Sequence, residues 1–166
     1  KKPNVFMESK YQKSYKNGVL DGKYLSYYQS GQVEFDTKYM NGEKDGRWVY
    51  YFPNGKLWYE QTYQYAVEHG KFSEYHQNGR LKITGNYKVG KKDGKWLSYY
   101  DNGQTLEEVS YKKGYYDGKN ITFHSNGEIK SNGFWANGKK HNIWSWYHKN
   151  GQLHEELSFK DGEISW

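Results

Sequence analysis

Acidic side chains recur at a fixed interval in this sequence and are the first candidates for chemistry. A general acid and a general base need two carboxyl groups close enough to serve one substrate. The acids are Asp36, Glu60, Glu108 and Glu156. If each copy of the interval forms one hairpin, successive acids stand in alternate strands, roughly 10 Å apart or more. We therefore expect no paired-carboxylate site and no catalytic residues.

Basic side chains recur at the same interval. They are Lys23, Arg47, Lys71, Lys95 and Lys119. In the hairpins proposed below, the acidic and basic columns share one face and lie diagonally opposite each other. The sequence therefore predicts a ladder of surface ion pairs, each worth about 0.2–1 kcal/mol.

Histidines raise the question of a metal site. His69 and His76 are seven residues apart, and so are His141 and His148. In an extended strand that interval spans roughly 20 Å, whereas imidazoles that share a zinc ion must each approach it to about 2.1 Å. His124 and His148 stand one repeat apart, which is also too far. We expect no metal, and the chain has no cysteine to supply thiolate ligands or disulfides.

Motifs for phosphate binding and nucleophilic catalysis are not found in the sequence. The glycines follow the spacing of turns, and none precedes a predicted helix. Serine and threonine residues have no consistent histidine partner. The sequence predicts a protein that is not an enzyme and needs no cofactor.

One repeat of 24 residues accounts for nearly the whole chain. Its copies are residues 22–45, 46–69, 70–93, 94–117, 118–141 and 142–166, and residues 1–21 resemble a partial N-terminal capping repeat. Glycine opens five copies, an aromatic residue stands at the sixth position of all, and Asn-Gly or Ser-Gly fills positions nine and ten. A fixed period of this length is typical of solenoids, in which each repeat contacts mainly its neighbours. We expect one continuous repeat domain.

Aromatic residues compensate for a shortage of aliphatic ones. Leu, Ile, Val and Phe make up 27 of 166 residues and the mean hydropathy is -1.23, values that usually favour disorder. Tyr, Trp and Phe together number 33, and each ring buries roughly 150–250 Å². We therefore expect a folded chain in which rings pack on neighbouring rings in a shallow layer.

The turn residues favour β-hairpins. Asn-Gly between β-prone residues is the strongest short-range signal for a hairpin with a type I′ turn. With that turn at positions nine and ten, position one faces position eighteen, three faces sixteen, and seven faces twelve. Gly94 then lies opposite Tyr111, whose ring we expect to cover the strand glycine. A longer glycine-containing loop is expected to lead into the next hairpin.

This register predicts an all-β fold, an elongated and twisted single-layer antiparallel meander of about twelve or thirteen short strands. Positions 3, 5, 7, 12, 14, 16 and 18 share the more aromatic face. Positions 2, 4, 6, 13, 15 and 17 share the other face.

The repeat resembles the bacterial variant of the MORN repeat (membrane occupation and recognition nexus) and the YwqK-type antitoxin family. The shared pattern, over about residues 8–165, is G-[KR]-[WYF]-x-x-Y-[YFH]-x-N-G-x-[LVI]-x-x-[ED]-x-x-Y. The sequence departs from it at Ala66, Asn120 and Asn132, where glycine, an aromatic residue and an acid are usual. The resemblance implies an all-β hairpin array without catalytic residues that holds another protein.

Six aromatic residues are candidates for contact with a partner. They are Trp48, Phe52, Trp96, Tyr100, Trp144 and Trp146. The alternative is that these rings only pack the sheet, but aromatic patches that stay exposed usually mark interfaces. Our main hypothesis is a non-enzymatic scaffold for protein–protein interaction, in a bacterial and antitoxin-like setting. A second hypothesis is a module that binds cell-wall glycans through exposed aromatics, although choline- and glucan-binding repeats space their tryptophans differently.

Charge suggests a third hypothesis. The net charge of +6 is spread through every repeat, whereas nucleic-acid binders concentrate positive charge on one stripe, so we expect no nucleic-acid partner. Lysine pairs at Lys91–Lys92, Lys112–Lys113 and Lys139–Lys140 fall in loops on one predicted edge, which favours docking on anionic membranes. The sequence has no apolar run of roughly 20 residues. Its start without Met is a weak indication of export to the periplasm or cell surface.

Overall fold

A computed structural model describes residues 10–166; residues 1–9 of the predicted capping repeat lie outside the described range. Within that range no residue is helical, and the strands form a single open antiparallel sheet. The all-β meander expected from the sequence is confirmed.

Within residues 10–166 the sheet has fifteen strands. They are β1 (Tyr11–Lys16), β2 (Val19–Tyr27), β3 (Val33–Met40), β4 (Glu43–Lys44), β5 (Gly46–Tyr51), β6 (Leu57–Gln64), β7 (Val67–Tyr75), β8 (Leu81–Lys88), β9 (Lys91–Tyr99), β10 (Thr105–Lys112), β11 (Tyr115–Phe123), β12 (Ile129–Ala136), β13 (Lys139–Tyr147), β14 (Leu153–Lys160) and β15 (Glu163–Ile164). Each strand pairs with the next in the chain, except that β4 and β5 both pair with β3 because Asp45 interrupts the strand. The number exceeds our expectation partly for this reason.

The Asn-Gly pairs at positions nine and ten lie in three-residue loops. In one of them, the N–H of Gly103 donates to the carbonyl of Tyr100 at 2.9 Å, and the N–H of Tyr100 donates to the carbonyl of Gln104 at 2.8 Å. Gly103 has a φ of 91°, while Asn102 has no positive φ. This is a type I turn followed by a left-handed glycine. The predicted type I′ turn at these positions is therefore wrong.

The extra loop residue changes the register at this end of each hairpin. Tyr99 pairs with Thr105, where we expected Tyr100 to do so. Since a shift of one residue turns a side chain to the opposite face, position twelve joins the less aromatic face. Position thirteen then joins the aromatic face. Farther from the loop the predicted register is confirmed, since Trp96 pairs with Val109.

Type I′ turns occur at the opposite edge of the sheet, where we expected longer loops. Both central residues of each turn have positive φ, for example 50° at Asn41 and 83° at Gly42. The turns are Asn17-Gly18, Asn41-Gly42, Tyr65-Ala66, Val89-Gly90, Lys113-Gly114, Asn137-Gly138 and Asp161-Gly162. The expectation of longer loops is wrong because the residues after each turn continue as a strand with an irregular register.

The glycine that opens each repeat occupies this irregularity. Gly94 pairs with Tyr111 as predicted, but a Cβ added to Gly94 would meet no heavy atom within 4 Å. The tyrosine ring therefore does not cover it. Gly94 is needed for its φ of 73°, and Asn142, with a φ of 60°, takes the same place in the last copy. Asparagine tolerates this left-handed conformation better than most residues.

Tryptophan covers two other glycines, and it does so between repeats. A Cβ on Gly85 would lie 2.1 Å from Cδ2 of Trp96, and one on Gly133 would lie 2.1 Å from Cδ2 of Trp144. Neither glycine has a positive φ. Because glycine has no side chain, each indole can lie against the backbone of the preceding strand. Each of these tryptophans thus packs on a glycine of the preceding hairpin and joins the two hairpins.

We expect Gly85→Ala to destabilise the sheet even though alanine suits the backbone there. The methyl group would overlap the Trp96 indole, and overpacking of this kind costs about 1–3 kcal/mol. Urea unfolding followed by tryptophan fluorescence measures the loss in free energy of unfolding. Trp96→Leu serves as the control background because it leaves room for the methyl group. An equal cost of Gly85→Ala in both backgrounds would contradict the explanation.

Candidate interaction surfaces

The aromatic face carries one continuous series of ring contacts along the sheet. Consecutive ring centroids lie between 4.6 and 6.4 Å apart. The series runs through Tyr11, Tyr24, Tyr39, Trp48, Tyr50, Tyr59, Phe72, Trp96, Tyr111, Tyr116, Trp135, Trp144, Trp146 and Phe159. Each repeat thereby covers the apolar surface of its neighbours, as an aromatic single layer requires.

Three of the six predicted contact residues are buried in this series. Trp48, Trp96 and Trp144 are between 2% and 4% exposed. Their indole N–H groups donate to backbone carbonyls in the preceding strand pair at 2.8, 3.2 and 3.1 Å. These rings therefore pack the sheet and leave almost no area for a partner. Phe52, Tyr100 and Trp146 remain part-exposed, and their contact with a partner stays a prediction.

Lysines lie over several of the packed rings. The ammonium groups of Lys44, Lys92 and Lys140 are 4.5, 4.3 and 4.7 Å from the ring centroids of the three buried tryptophans. Burial lowers the pKa of Lys92, an effect that Glu107 opposes. Lys92 and Lys140 belong to two of the lysine pairs that we expected together at the loop edge. In each of these two pairs, one lysine lies over packed aromatic rings and its neighbour does not.

Side chains along the Asn-Gly edge, the edge formed by the three-residue loops, link each repeat to the next. The hydroxyl of Tyr100 donates to the carbonyl of Phe123 at 2.7 Å. Nε2 of His76 lies 3.0 Å from the carbonyl of Tyr99. Tyr28 and His124 make the same contact in their own repeats. Within residues 10–166, no group of three or more His, Cys, Asp or Glu residues is placed to hold a metal ion.

The loop asparagines add a second link along this edge. Asn78 donates from Nδ2 to the carbonyl of Asp101 at 2.8 Å, and its Oδ1 accepts from the N–H of Arg80 at 2.9 Å. One amide side chain thus closes its own loop and binds the next one. This double role explains asparagine at position nine without any requirement for positive φ.

The opposite face carries the predicted ion-pair ladder in three of its positions. Nζ of Lys23 lies 3.2 Å from Asp36, Nε of Arg47 donates to Glu60 at 2.9 Å, and Nζ of Lys95 lies 2.8 Å from Glu108. Glu156 accepts instead from Oγ of Ser145 at 3.0 Å, because Ile143 occupies the basic position. The lysine and arginine side chains are largely exposed, so each pair contributes little stability.

One copy of the repeat presents more aromatic surface than the others. In residues 46–69, positions 5, 7, 13 and 14 are all aromatic, and we call these residues the aromatic patch: Tyr50, Phe52, Trp58 and Tyr59. The rings of Phe52 and Trp58 stack with centroids 5.6 Å apart, and those of Tyr50 and Tyr59 stack at 4.6 Å. Trp58 is 40% exposed. Sequence reasoning named only Phe52 of these four, and it missed Trp58 because position thirteen was assigned to the wrong face.

A group of lysines surrounds a groove at the type I′ edge, the edge formed by the two-residue turns. The groove has a volume of about 480 Å³ and is lined by Lys88, Lys91, Lys112 and Lys113 together with Val89 and Asp93. Val89 in one turn and Tyr115 at the start of β11 are 71% and 65% exposed. Charge and apolar surface therefore meet at this edge. No helix among the described residues is long and apolar enough to span a membrane.

The chain is a β-hairpin repeat protein. Its hairpins form one open sheet, and hydrogen bonds from polar side chains join each repeat to the next. The chain belongs to the MORN repeat variant family, whose model matches residues 20–41, 44–65, 68–88, 92–113 and 140–161. MORN repeats are a non-catalytic type of repeat, generally found as modules in protein or membrane interactions. No curated protein matched the chain.

The segment between the fourth and fifth matches contains two of the noted departures, Asn120 and Asn132. It keeps the same register, since Gly118 pairs with Trp135 as Gly94 does with Tyr111. Asn120 is buried in the aromatic position and donates to Glu107 at 2.8 Å. The copy at residues 118–141 is therefore structurally a repeat.

Tyrosines on the aromatic face predict a loss of stability at alkaline pH. Burial is the main cause that raises the pKa of seven of them: Tyr28, Tyr39, Tyr50, Tyr59, Tyr63, Tyr87 and Tyr111. Such groups stabilise the fold fully below their unfolded pKa of about 10, and this contribution is lost as the pH rises through the folded pKa. The lowered pKa of Lys92 acts in the opposite direction, but it is one group against seven.

We expect the free energy of unfolding, measured with urea, to fall steadily above about pH 10. Absorbance of tyrosinate should rise together with unfolding. Tyr111→Phe should make the decline shallower because it removes one of the seven groups. A free energy that stays constant to about one pH unit above the ordinary tyrosine pKa would contradict the role of burial.

Proposed function

We propose that this protein is a non-enzymatic scaffold that holds another protein against its aromatic face. The observation that supports this most directly is that the aromatic rings fall into a buried group and a part-exposed group. The buried tryptophans join the repeats, while Phe52, Trp58, Tyr100 and Trp146 keep part of their surface in solvent. Aromatic rings held rigidly at a surface are typical anchors of protein interfaces.

The extended sheet also suits a protein partner better than a small ligand. The part-exposed rings are distributed over several repeats, and equivalent positions in adjacent repeats are roughly 10 Å apart. A surface of this kind offers several shallow anchors to one long partner. An antitoxin-like role, with a bacterial toxin as the partner, is the specific form that the family resemblance suggests.

The proposal is tested by affinity capture from a lysate of the source organism with the full chain. Proteins held by the wild-type chain should be lost when Phe52→Ser and Trp146→Ser are combined, since each change removes a part-exposed ring. Ile143→Ser is the matched control because Ile143 is an exposed apolar residue on the opposite face. Near-UV circular dichroism verifies that each variant keeps the native packing.

Two results would count against a protein scaffold. One is recovery of the same proteins by the wild-type chain and by the double variant. The other is capture that soluble cell-wall polysaccharide abolishes, which would favour glycan binding through the same rings.

The type I′ edge supports a second candidate function, docking on an anionic membrane. Lys88, Lys91, Lys112 and Lys113 lie around one groove, and each lysine near an anionic surface contributes about 1 kcal/mol. The exposed Tyr115 beside them suits the interface between lipid headgroups and acyl chains. The aromatic face would remain free for a protein in this arrangement.

Sedimentation with vesicles tests the membrane candidate. We expect the chain to bind vesicles of phosphatidylcholine and phosphatidylserine but not phosphatidylcholine alone, and binding should weaken at least tenfold in Lys91→Glu/Lys113→Glu, as four fewer units of charge predict. Lys71→Glu/Lys119→Glu is the control, with the same change of charge away from the groove. Equal binding to both lipids, or equal loss in both variants, would exclude docking through this edge.

A further inference from the structure

The aromatic face shows a preference for cations within the chain itself. Besides the three lysines over the buried tryptophans, Lys13 lies 4.4 Å from the ring centroid of Tyr11 and 4.7 Å from that of Tyr24. Lys140 also covers Trp146 and Phe159, at 4.9 and 5.0 Å. The faces of aromatic rings carry negative electrostatic potential, so an ammonium group over them is attracted. Intramolecular lysines satisfy this attraction along most of the series of ring contacts.

The aromatic patch is one part of this face where rings have no cation from residues 10–166 over them. Among the described residues, no lysine or arginine lies over Tyr50, Phe52, Trp58 or Tyr59. Lys44, the lysine nearest to this copy, lies over Trp48 and Tyr63 and over none of the four patch rings. Trp48, Trp96 and Trp144 donate their indole N–H groups to backbone carbonyls, whereas no described residue accepts from the indole N–H of Trp58.

Charge beside the patch has the sign that attracts a cation. Glu34 precedes Phe35, whose ring centroid lies 5.3 Å from that of Tyr50. The Glu34 carboxylate accepts from Oγ of Ser26 at 2.8 Å and makes no ion pair among the described residues. On the other side of the patch, Glu74 is paired with Lys82 at 2.8 Å. Of these two carboxylates, Glu34 is therefore the one without a basic partner among the described residues.

The carboxylate also acts on the patch electrostatically. The pKa of Tyr50 is raised mainly by burial and additionally by the charge of Glu34. The net charge of +6 on the whole chain opposes a cationic ligand, but it is dispersed and is screened beyond about 8 Å at physiological ionic strength. Groups within the patch decide what binds there.

We propose that the aromatic patch binds a lysine or arginine side chain of the partner protein, with the cation over the Phe52–Trp58 stack and Glu34 as its counter-charge. This inference rests on the proposed function and specifies which segment of the partner this repeat recognises. The free indole N–H of Trp58 would donate to a carbonyl of that segment. A basic side chain with an apolar stem fits this surface because its methylene groups can lie on the rings while its charge faces the carboxylate.

The inference is tested on the full chain with N-acetyl-arginine amide and N-acetyl-citrulline amide as probes. These two compounds have nearly the same shape and differ in charge. In nuclear magnetic resonance spectra of the ¹⁵N-labelled protein, the Trp58 indole signal is the one lost in Trp58→Phe. We expect the arginine compound to shift it saturably with a millimolar dissociation constant, and the citrulline compound to bind at least threefold more weakly.

Variants assign the site. Glu34→Gln should weaken binding of the arginine compound about twofold to fivefold, as for a partly exposed charge, and Trp58→Ala should abolish the shifts of neighbouring patch residues. Leu106→Ala is the matched control, since Leu106 occupies position thirteen in another copy with similar exposure. It should bind the arginine compound as the wild type does.

Several results would overturn the inference. Equal binding of the two compounds would show that charge is not recognised. Preferential binding of choline would identify a lipid headgroup as the source of the cation, and preferential binding of cellobiose would identify a sugar. Because these measurements need no partner, their failure beside a capture that still depends on Phe52 would remove the cation site and leave the protein scaffold standing.

Discussion

Contact between one hairpin and the next is the constraint on which this structure depends. A single-layer sheet has no second layer to cover its apolar face, so each ring must be covered by the same face of an adjacent repeat. Trp96 shows how closely this is achieved, because its indole fills the space of the missing side chain of Gly85 and is covered in turn by Lys92. The fixed period keeps these contacts in phase, and a change of repeat length would separate every ring from its cover.

The same constraint shapes the surfaces available for function. Hydrogen bonds from Tyr100 and Asn78 bind neighbouring loops along the Asn-Gly edge, which leaves few uncommitted polar groups there. The type I′ edge instead carries exposed lysines and apolar turn residues. Between the two edges, the aromatic face becomes accessible where a repeat has more rings than its neighbours can cover. Residues 46–69 are such a repeat, and the stacked pair of Phe52 and Trp58 is the result.

Turn chemistry shows why local sequence rules assigned the wrong type of turn to each edge. Asn-Gly favours a type I′ turn in an isolated hairpin, yet Asn102 takes its side-chain bonds to Gln104 and to Ser125 of the next repeat. The second of these bonds exists only when the next loop is in place. A three-residue loop that satisfies both bonds is therefore selected in the array. The pairs Tyr65-Ala66 and Val89-Gly90, which carry weaker local signals, adopt the type I′ conformation because the strands around them are already paired.

From the sequence alone one could derive the repeat, the all-β meander, the aromatic face, the pairing of Trp96 with Val109 and the diagonal ion pairs such as that of Lys95 with Glu108. These follow from periodicity, because residues at equal intervals in equal hairpins must take equivalent places. Tertiary structure decided which tryptophans are buried, which glycines they cover and which face Trp58 occupies. Those outcomes depend on a one-residue bulge in each loop and on contacts between adjacent repeats, and neither is encoded within a single copy of the pattern.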